Sequence, residues 1–263
     1  MRIVTWNINS VRARIHHVKR FTEDYAPDVI CLQETKAQDS DFPMKDIKNM
    51  GFEHVEILGQ KSYNGVAILS KHPLSNIGTH EWVGKSDCRH LHATLPNGTI
   101  LHNFYVPAGG DEPNPDVNEK FAHKLDFLDE MTRWFPDQYT NDQPMVLMGD
   151  LNIAPLENDV WNHKQLLKIV SHTPIEIEKL THIIEKFGWI DTMRKFIPDD
   201  EKLYTWWSYR ARDWAAANKG RRLDHMWVTP PLADKVSAMQ VVLEARGWEK
   251  PSDHAPVILD LSD

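Results

Sequence analysis

Short apolar runs alternate along this chain with segments whose apolar residues recur every three or four positions, a pattern of strands separated by amphipathic helices. "RIVTWNI" reads as a first strand, and Ser10 then opens a helix with Val11, Ile15, Val18 and Phe21 as its stripe. Pro27 breaks the chain before "DVICLQE", a buried strand, and a short helix over "PMKDIKNM" ends at Gly51. Strands are predicted at "HVEIL", "GVAILS", "HLHATL" and "ILHNFYV", with Pro96-Asn97-Gly98-Thr99 turning between the last two. A long helix is predicted from Asn118 to Phe135, burying Phe121, Leu125 and Leu128 and stopped by Pro136. "PMVLMGDLN" is another buried strand, followed by helices near 160–170 and over 177–187, the second capped by Gly188. "RLDHMWVT" and "PVILDL" close the series. No linker, low-complexity tract or charge block interrupts it, so residues 1–263 read as one α/β domain. Asn7-Ile8-Asn9 after the first strand and Asp150-Leu151-Asn152 after a later one echo each other, which predicts two similar sheet halves face to face with helices outside.

Composition narrows the class. A chain of 263 residues can bury a large core. No run of 18 apolar residues occurs, so no membrane span is expected, and the amino terminus shows no secretory pattern. Cys31 lies inside an apolar run, and with only Cys88 beside it the chain suits a reducing, cytoplasmic setting. The formal net charge of -8 argues mildly against a nucleic-acid partner. Its distribution argues the other way. Between Lys202 and Arg222, Arg210, Arg212, Lys219 and Arg221 interleave with Tyr204, Trp206, Trp207, Tyr209 and Trp214, a mixture that can hold phosphates and stack bases or simply form a solvated loop over an aromatic cluster.

Polar residues recur at the carboxyl ends of the apolar strands: Asn7 and Asn9, Gln33 and Glu34, Tyr105, Asp150 and Asn152. Asp224 follows the basic stretch, and Asp253-His254, bracketed by Pro251 and Pro256, precede the last strand. Singly, each is an ordinary turn or cap residue. As a converging set they supply carboxylates, amides, one imidazole and one phenol. Hard oxygen donors suit Mg²⁺ or Mn²⁺ better than zinc. Ser252 lies outside any G-x-S-x-G turn, which argues against a serine nucleophile. These groups favour metal-assisted attack of water on a phosphate ester.

"WNIN", "LQETK", "YVPAGG", "GDLNIAP", "YTWWSYR", "GRRLDHMWVT" and "KPSDHAPV", in that order across nearly the whole chain, resemble the exonuclease III family of apurinic/apyrimidinic (AP) endonucleases within the endonuclease/exonuclease/phosphatase superfamily. The resemblance implies a four-layer α/β sandwich, two mixed β-sheets packed face to face with helices on both outer sides. It implies Glu34 as principal carboxylate for the metal, with Asn7 and Asp253 close by. Asp150 would deprotonate the attacking water, and Asn152 would hold that water or a phosphate oxygen. His254, paired with Asp224, would contact the scissile phosphate, and Tyr105 would bond to the phosphate or assist the leaving oxygen. Trp206 and Leu223 would wall a pocket for a base-less sugar, while Arg12, Arg210 and Arg221 would contact DNA. The implied substrate is double-stranded DNA with abasic sites or blocked 3' ends, handled by a monomer needing no protein partner and no membrane.

Two positions depart from the pattern. Ala108 stands where several members carry an amide, so one hydrogen bond to an anion, about 1.5–3 kcal/mol, is missing. Arg221 stands where some members place a bulky apolar residue. Asp111 and Glu112 follow the glycines, where a cation would grip DNA better. His16-His17 reads as solvated surface, and Cys88, His90 and His92 lack a fourth metal ligand. The competing readings are a relative that hydrolyses a small-molecule or lipid phosphate ester, and a nucleic-acid binder that has lost catalysis. The second would lack acids that are all present here.

Overall fold

The computed structural model describes residues 1–262. Strands β1 (Arg2–Asn7), β2 (Val29–Gln33), β3 (His54–Leu58) and β4 (Val66–Ser70) join β13 (Val236–Val241) and β14 (Val257–Leu261) in one sheet, ordered β13-β14-β1-β2-β4-β3. A second sheet, ordered β5-β6-β7-β8-β12-β9, contains β5 (Ser75–Gly78), β6 (His90–Thr94), β7 (Ile100–Tyr105), β8 (Met145–Asp150), β9 (Ile190–Asp191) and β12 (Asp224–Val228). A small ribbon, β10 (Trp206–Trp207) with β11 (Gly220–Arg221), stands beside them.

The unbroken apolar runs are explained by burial on both faces. Along β1, Ile3 enters the core between the sheets and Val4 the outer core, and Val29 and Cys31 alternate with Ile30 and Leu32 in the same way along β2. The inner core joins those residues to Leu101, Val146 and Met148 of the other sheet. Helices α1 (Ile15–Tyr25) and α2 (Met44–Asn49) cover the first sheet's outer face with Val18, Phe21 and Ile47. On the second sheet, α3 (Glu119–Gln138) and, beyond the one-turn α4 (His163–Leu166), α5 (Pro174–Phe187) do the same with Leu128, Met131 and Leu180. Short helices α6 (Thr192–Phe196), α7 (Trp214–Ala217) and α8 (Pro230–Ala233) fill later connections. This is the expected four-layer sandwich.

The two sheets match strand for strand, each with one parallel pair, β1–β2 and β7–β8, amid antiparallel neighbours. Two similar halves are therefore present, but the echo that predicted them pairs the wrong strands. By strand order β1 corresponds to β7 and β2 to β8, so the counterpart of Asn7 is Tyr105, and that of Asp150 is the Gln33-Glu34 end.

Some element boundaries also differ from the pattern. The first helix begins at Ile15, not after Ser10. Ser10 has φ 85 and donates its N–H to the Glu34 carbonyl, while Val11 donates to Thr35, so tertiary bonds strap this segment down as turns. The predicted helix near 160–170 contracts to α4. Helix α3 runs through Pro136 to Gln138, because a proline in a last turn loses a single hydrogen bond. His17 is buried against Trp248, not solvated, and Trp207 is also core.

Candidate active site

Parallel pairs point both their carboxyl ends the same way, and here the two pairs converge. Asn7 ends β1, Glu34 follows β2, Tyr105 ends β7 and Asp150 ends β8. Asn7 Nδ2 lies 2.9 Å from both Glu34 Oε1 and Asp150 Oδ2, bridging the two carboxylates. The Tyr105 hydroxyl donates to Glu34 Oε1 at 2.9 Å. Glu34 reaches this place with φ 50, in a turn held by Thr35 N–H on Gly65 O and Lys36 N–H on Asn64 O. The Lys36 ammonium sits 2.7 Å from Glu34 Oε2 and donates to Asn9 Oδ1.

Asp224, in register with Asp150 on the neighbouring strand, is fixed by its own N–H and that of Leu223, both donating to Thr205 Oγ1. His254 Nδ1 is 2.8 Å from Asp224 Oδ2, and its Nε2 is 3.6 Å from Asp150 Oδ2. Burial disfavours a charged imidazole, but Asp224 and Asp150 outweigh it and raise His254 to about 10. Asp150 is pushed the other way for a carboxylate: burial, with Asp224 and Glu34 adding to it, raises its pKa to about 7 against the pull of His254 and Asn7. Burial would raise Glu34 also, yet Lys36 and Asn7 hold it below its ordinary value, so it stays ionised. The Tyr105 phenol lies well above its usual range, first through burial and then through Glu34 and Asp150.

The bend before β14 is built by Ser252, whose hydroxyl donates to Asn7 O and accepts from the His254 N–H. It sends neighbouring side chains to different partners. Asp253 accepts from Asn9 Nδ2 at 3.1 Å and from the Trp206 indole at 2.9 Å. Asp253 is joined to Glu34 through Asn9, which bonds both Lys36 and Asn7, two partners of Glu34.

The donor set fits a hard divalent cation at Glu34, an ionised, incompletely buried carboxylate that already holds one positive charge, the Lys36 ammonium. Asp150, Asp224 and His254 also bring donor atoms within 4.8 Å of one another. Within this trio His254 is hydrogen-bonded to Asp224 at 2.8 Å, while Asp150 stands at ion-pair distance, 3.6 Å from His254 Nε2. Asn7 and Asp253 flank the Glu34 site and are linked by Asn9, whose N–H donates to Asn7 Oδ1 and whose Nδ2 donates to Asp253.

Asn152 adjoins the site: its backbone N–H donates to Asp150 Oδ1 and its Nδ2 to Val106 O, and its Oδ1 accepts from none of the described residues. The Asn152 carbonyl accepts from Lys124 Nζ at 2.8 Å, a fully buried ammonium paired with Glu176. Beyond Asp253, Trp206, Arg210 and Arg221 line a cavity of about 690 Å³, and Leu223 packs beneath Trp206 in a small apolar cluster. On the other side a cavity of about 510 Å³ begins at Tyr105 and passes Ala108, with Lys85, Arg89 and Lys120 on its walls. Arg12 is not brought to either; it is exposed, 3.9 Å from Asp41. Gln33 turns inward and donates to Thr5 Oγ1 and Asn103 Oδ1, tying the sheets together instead of joining the site.

Sequence reading assigned no role to Lys36, Thr205 or Lys124. Lys36 stands two residues from Glu34 in a quoted motif, and Lys124 shares the apolar face of α3 with Phe121 and Leu128, an anomaly visible in the pattern. Nothing local marks Thr205.

The family model for the endonuclease/exonuclease/phosphatase family matches residues 4–254. The chain is 32% identical to exodeoxyribonuclease III of Haemophilus influenzae, over 98% of each chain. An AP endonuclease structure from Archaeoglobus fulgidus superimposes with TM-score 0.94 at 31% identity, covering 100% of both chains. A 3' phosphatase from Neisseria, bound to a product DNA hairpin, does so with TM-score 0.91 at 30% identity, also over 100% of both. This chain belongs to the endonuclease/exonuclease/phosphatase family.

Proposed function

We propose that the protein is a divalent-metal-dependent DNA-repair phosphodiesterase, using Mg²⁺, that cleaves duplex DNA 5' to abasic sites and clears blocked 3' ends. The single observation that carries this is the unbroken chain from Tyr105 through Glu34, Asn7 and Asp150 to His254 and Asp224, a base and an imidazolium side by side. The names of the relatives, an exodeoxyribonuclease III, an AP endonuclease and a 3' phosphatase bound to DNA, supply the substrate class.

In this reading Asp150, raised to about 7, accepts the proton of the attacking water, as a base matched to neutral pH should. Asn152 keeps Asp150 oriented and offers its Oδ1 to the water. His254, anchored by Asp224, donates to an oxygen of the scissile phosphate and meets the charge that grows there. The Tyr105 hydroxyl, held on Glu34, bonds to the phosphate or to the leaving oxygen. A cation held by Glu34, with Asn7 and Asp253 nearby, would supply neutralisation of phosphate charge. The protein acts as a monomer.

Parallel kinetics on duplexes carrying an abasic site, a 3'-phosphate or a plain 3'-hydroxyl, with and without Mg²⁺ and beside an inositol phosphate, test the proposal. Metal-dependent turnover of the first two is expected. Turnover of the inositol phosphate alone would replace it with the small-molecule reading.

A further inference from the structure

Asp224 and His254 are bonded to each other but belong to different sheets. Asp224 opens β12, and His254 lies in the bend before β14. The hydrogen bonds within either sheet therefore do not set the distance between them. The Asp224 carboxylate is anchored at one end: Oδ2 meets His254 Nδ1 at 2.8 Å, while Oδ1 is buried with no partner among the described residues. Its place depends on its backbone, and there two successive N–H groups turn to a side chain. Thr205 is fully buried, and its Oγ1 accepts from Leu223 N–H and from Asp224 N–H, both at 3.0 Å. The Thr205 carbonyl accepts the N–H of Ala255, the neighbour of His254, at 2.7 Å. Its own N–H donates to Arg221 O at 2.9 Å, and the next residue, Trp206, bridges to His254. One residue is thus bonded to both sides of the pair.

We propose that Thr205 is a positioning residue for the reaction: its hydroxyl holds Asp224 and its carbonyl holds Ala255, which together fix the Asp224–His254 bond and the direction in which His254 presents Nε2 to the phosphate. The inference rests on the phosphodiesterase reading above, which gives the pair its task. The position needs an acceptor as well as a volume. Valine matches threonine in size but leaves two buried N–H groups without an acceptor, and the strand start must then move to satisfy them. Serine keeps the acceptor and loses only a methyl group. The other acids facing His254, Asp150 and Asp253, keep their own bonds to Asn7 and Trp206 in either variant. A loss at Thr205 should therefore fall on the chemical step and spare substrate binding.

The experiment measures kcat and KM on an abasic duplex with Mg²⁺ for the wild type, Thr205→Val, Thr205→Ser, Asp224→Asn and the double variant Thr205→Val/Asp224→Asn. Thr205→Val should lower kcat by about tenfold or more and leave KM within about twofold, and Thr205→Ser should restore most of the rate. Once Asp224→Asn has weakened the pair, adding Thr205→Val should cost less than about twofold more, because both changes act on one bond. Should Thr205→Val not fold, Thr205→Ala, which lets water reach the two N–H groups, takes its place in the same comparison. Wild-type kcat in the variant without the hydroxyl, a loss that serine does not rescue, or the full loss repeated on top of Asp224→Asn would each overturn the inference. Absence of metal-dependent cleavage by the wild type would instead overturn the phosphodiesterase reading. The proton on His254 Nδ1 then tests Thr205 without substrate: its downfield NMR resonance should persist in Thr205→Ser and shift or vanish in Thr205→Val, and an unmoved resonance there contradicts the positioning role.

Discussion

Single residues set the chemistry through their neighbours. Asp150 and His254 share one pair of titrations, raised to about 7 and about 10. The base must be ionised and the imidazolium must keep its proton, so kcat should rise with pH through about 7 and fall through about 10. Asp224→Asn removes the charge that most raises His254, and its alkaline limb should move to lower pH in a pH–rate profile. Asp150→Asn keeps the shape of the site but cannot take the proton. Its kcat should fall by about 10²–10⁴ while binding of an abasic duplex persists, checked by single-turnover kinetics beside a binding titration. Near-normal turnover in that variant would remove Asp150 from its role. Glu34, Asp150, Asp224 and His254 were legible individually because acids and an imidazole at strand ends are conspicuous. That Asp253 faces Trp206 and Asn9 was not, since a bend can aim a side chain anywhere.

At the scale of elements, the site depends on how loops are tied to helices. Lys124 on α3 and Glu176 on α5 form a buried ion pair. Glu176 also accepts N–H bonds from Ser171 and Thr173, while Lys124 holds the Asn152 carbonyl. Lys124→Met leaves a buried carboxylate without its cation and should cost about 3–5 kcal/mol in denaturant unfolding. Strand β8 carries a further constraint at Gly149, with φ 143, where a Cβ would lie 1.9 Å from the Phe104 carbonyl oxygen. Gly149→Ala should destabilise by more than about 1 kcal/mol in the same assay, since neither space nor backbone admits the methyl. The buried strands were readable because a short run apolar on both faces, bounded by turn residues, fits a strand held between two layers. Edge strand β13 escaped, because its exposed Ser237, Ala238 and Gln240 blur any alternation, and α1 began late because Ser10 and Val11 bond to the neighbouring turn instead of to a helix.

Across the whole molecule, protonation and salt are the levers. Burial lowers the pKa of His17 and His225 to about 4 and that of His90 and His102 well below the ordinary value. Unfolding frees these imidazoles to bind protons, so below the ordinary value of 6.5 the unfolded state takes up more, and stability falls towards pH 4. His254 contributes with the opposite sign: its stabilisation is complete below 6.5 and is lost as pH rises through about 10. Denaturant midpoints should therefore drop from about pH 7 to about pH 5; a rise on acidification would contradict this. The chain carries a net charge of -8, yet affinity for an abasic duplex should still fall steeply with salt if cations line the cavities flanking the site. For about three neutralised phosphates the slope of log K against log salt is roughly −2.7.

The order of strands and helices, the buried character of β1, β2, β4 and β8, and the kinds of chemical group available all followed from the amino-acid sequence, because periodicity and group type are local properties. The tertiary structure alone decided which strand ends are equivalent. It placed Asn7 between Glu34 and Asp150, set Lys36 on Glu34 and buried Gln33 between the sheets. It also buried Arg221 Nε with no hydrogen-bond partner among the described residues. These are contacts between residues tens to hundreds of positions apart, and a distance of that kind is fixed only when two separately formed sheets close on one core.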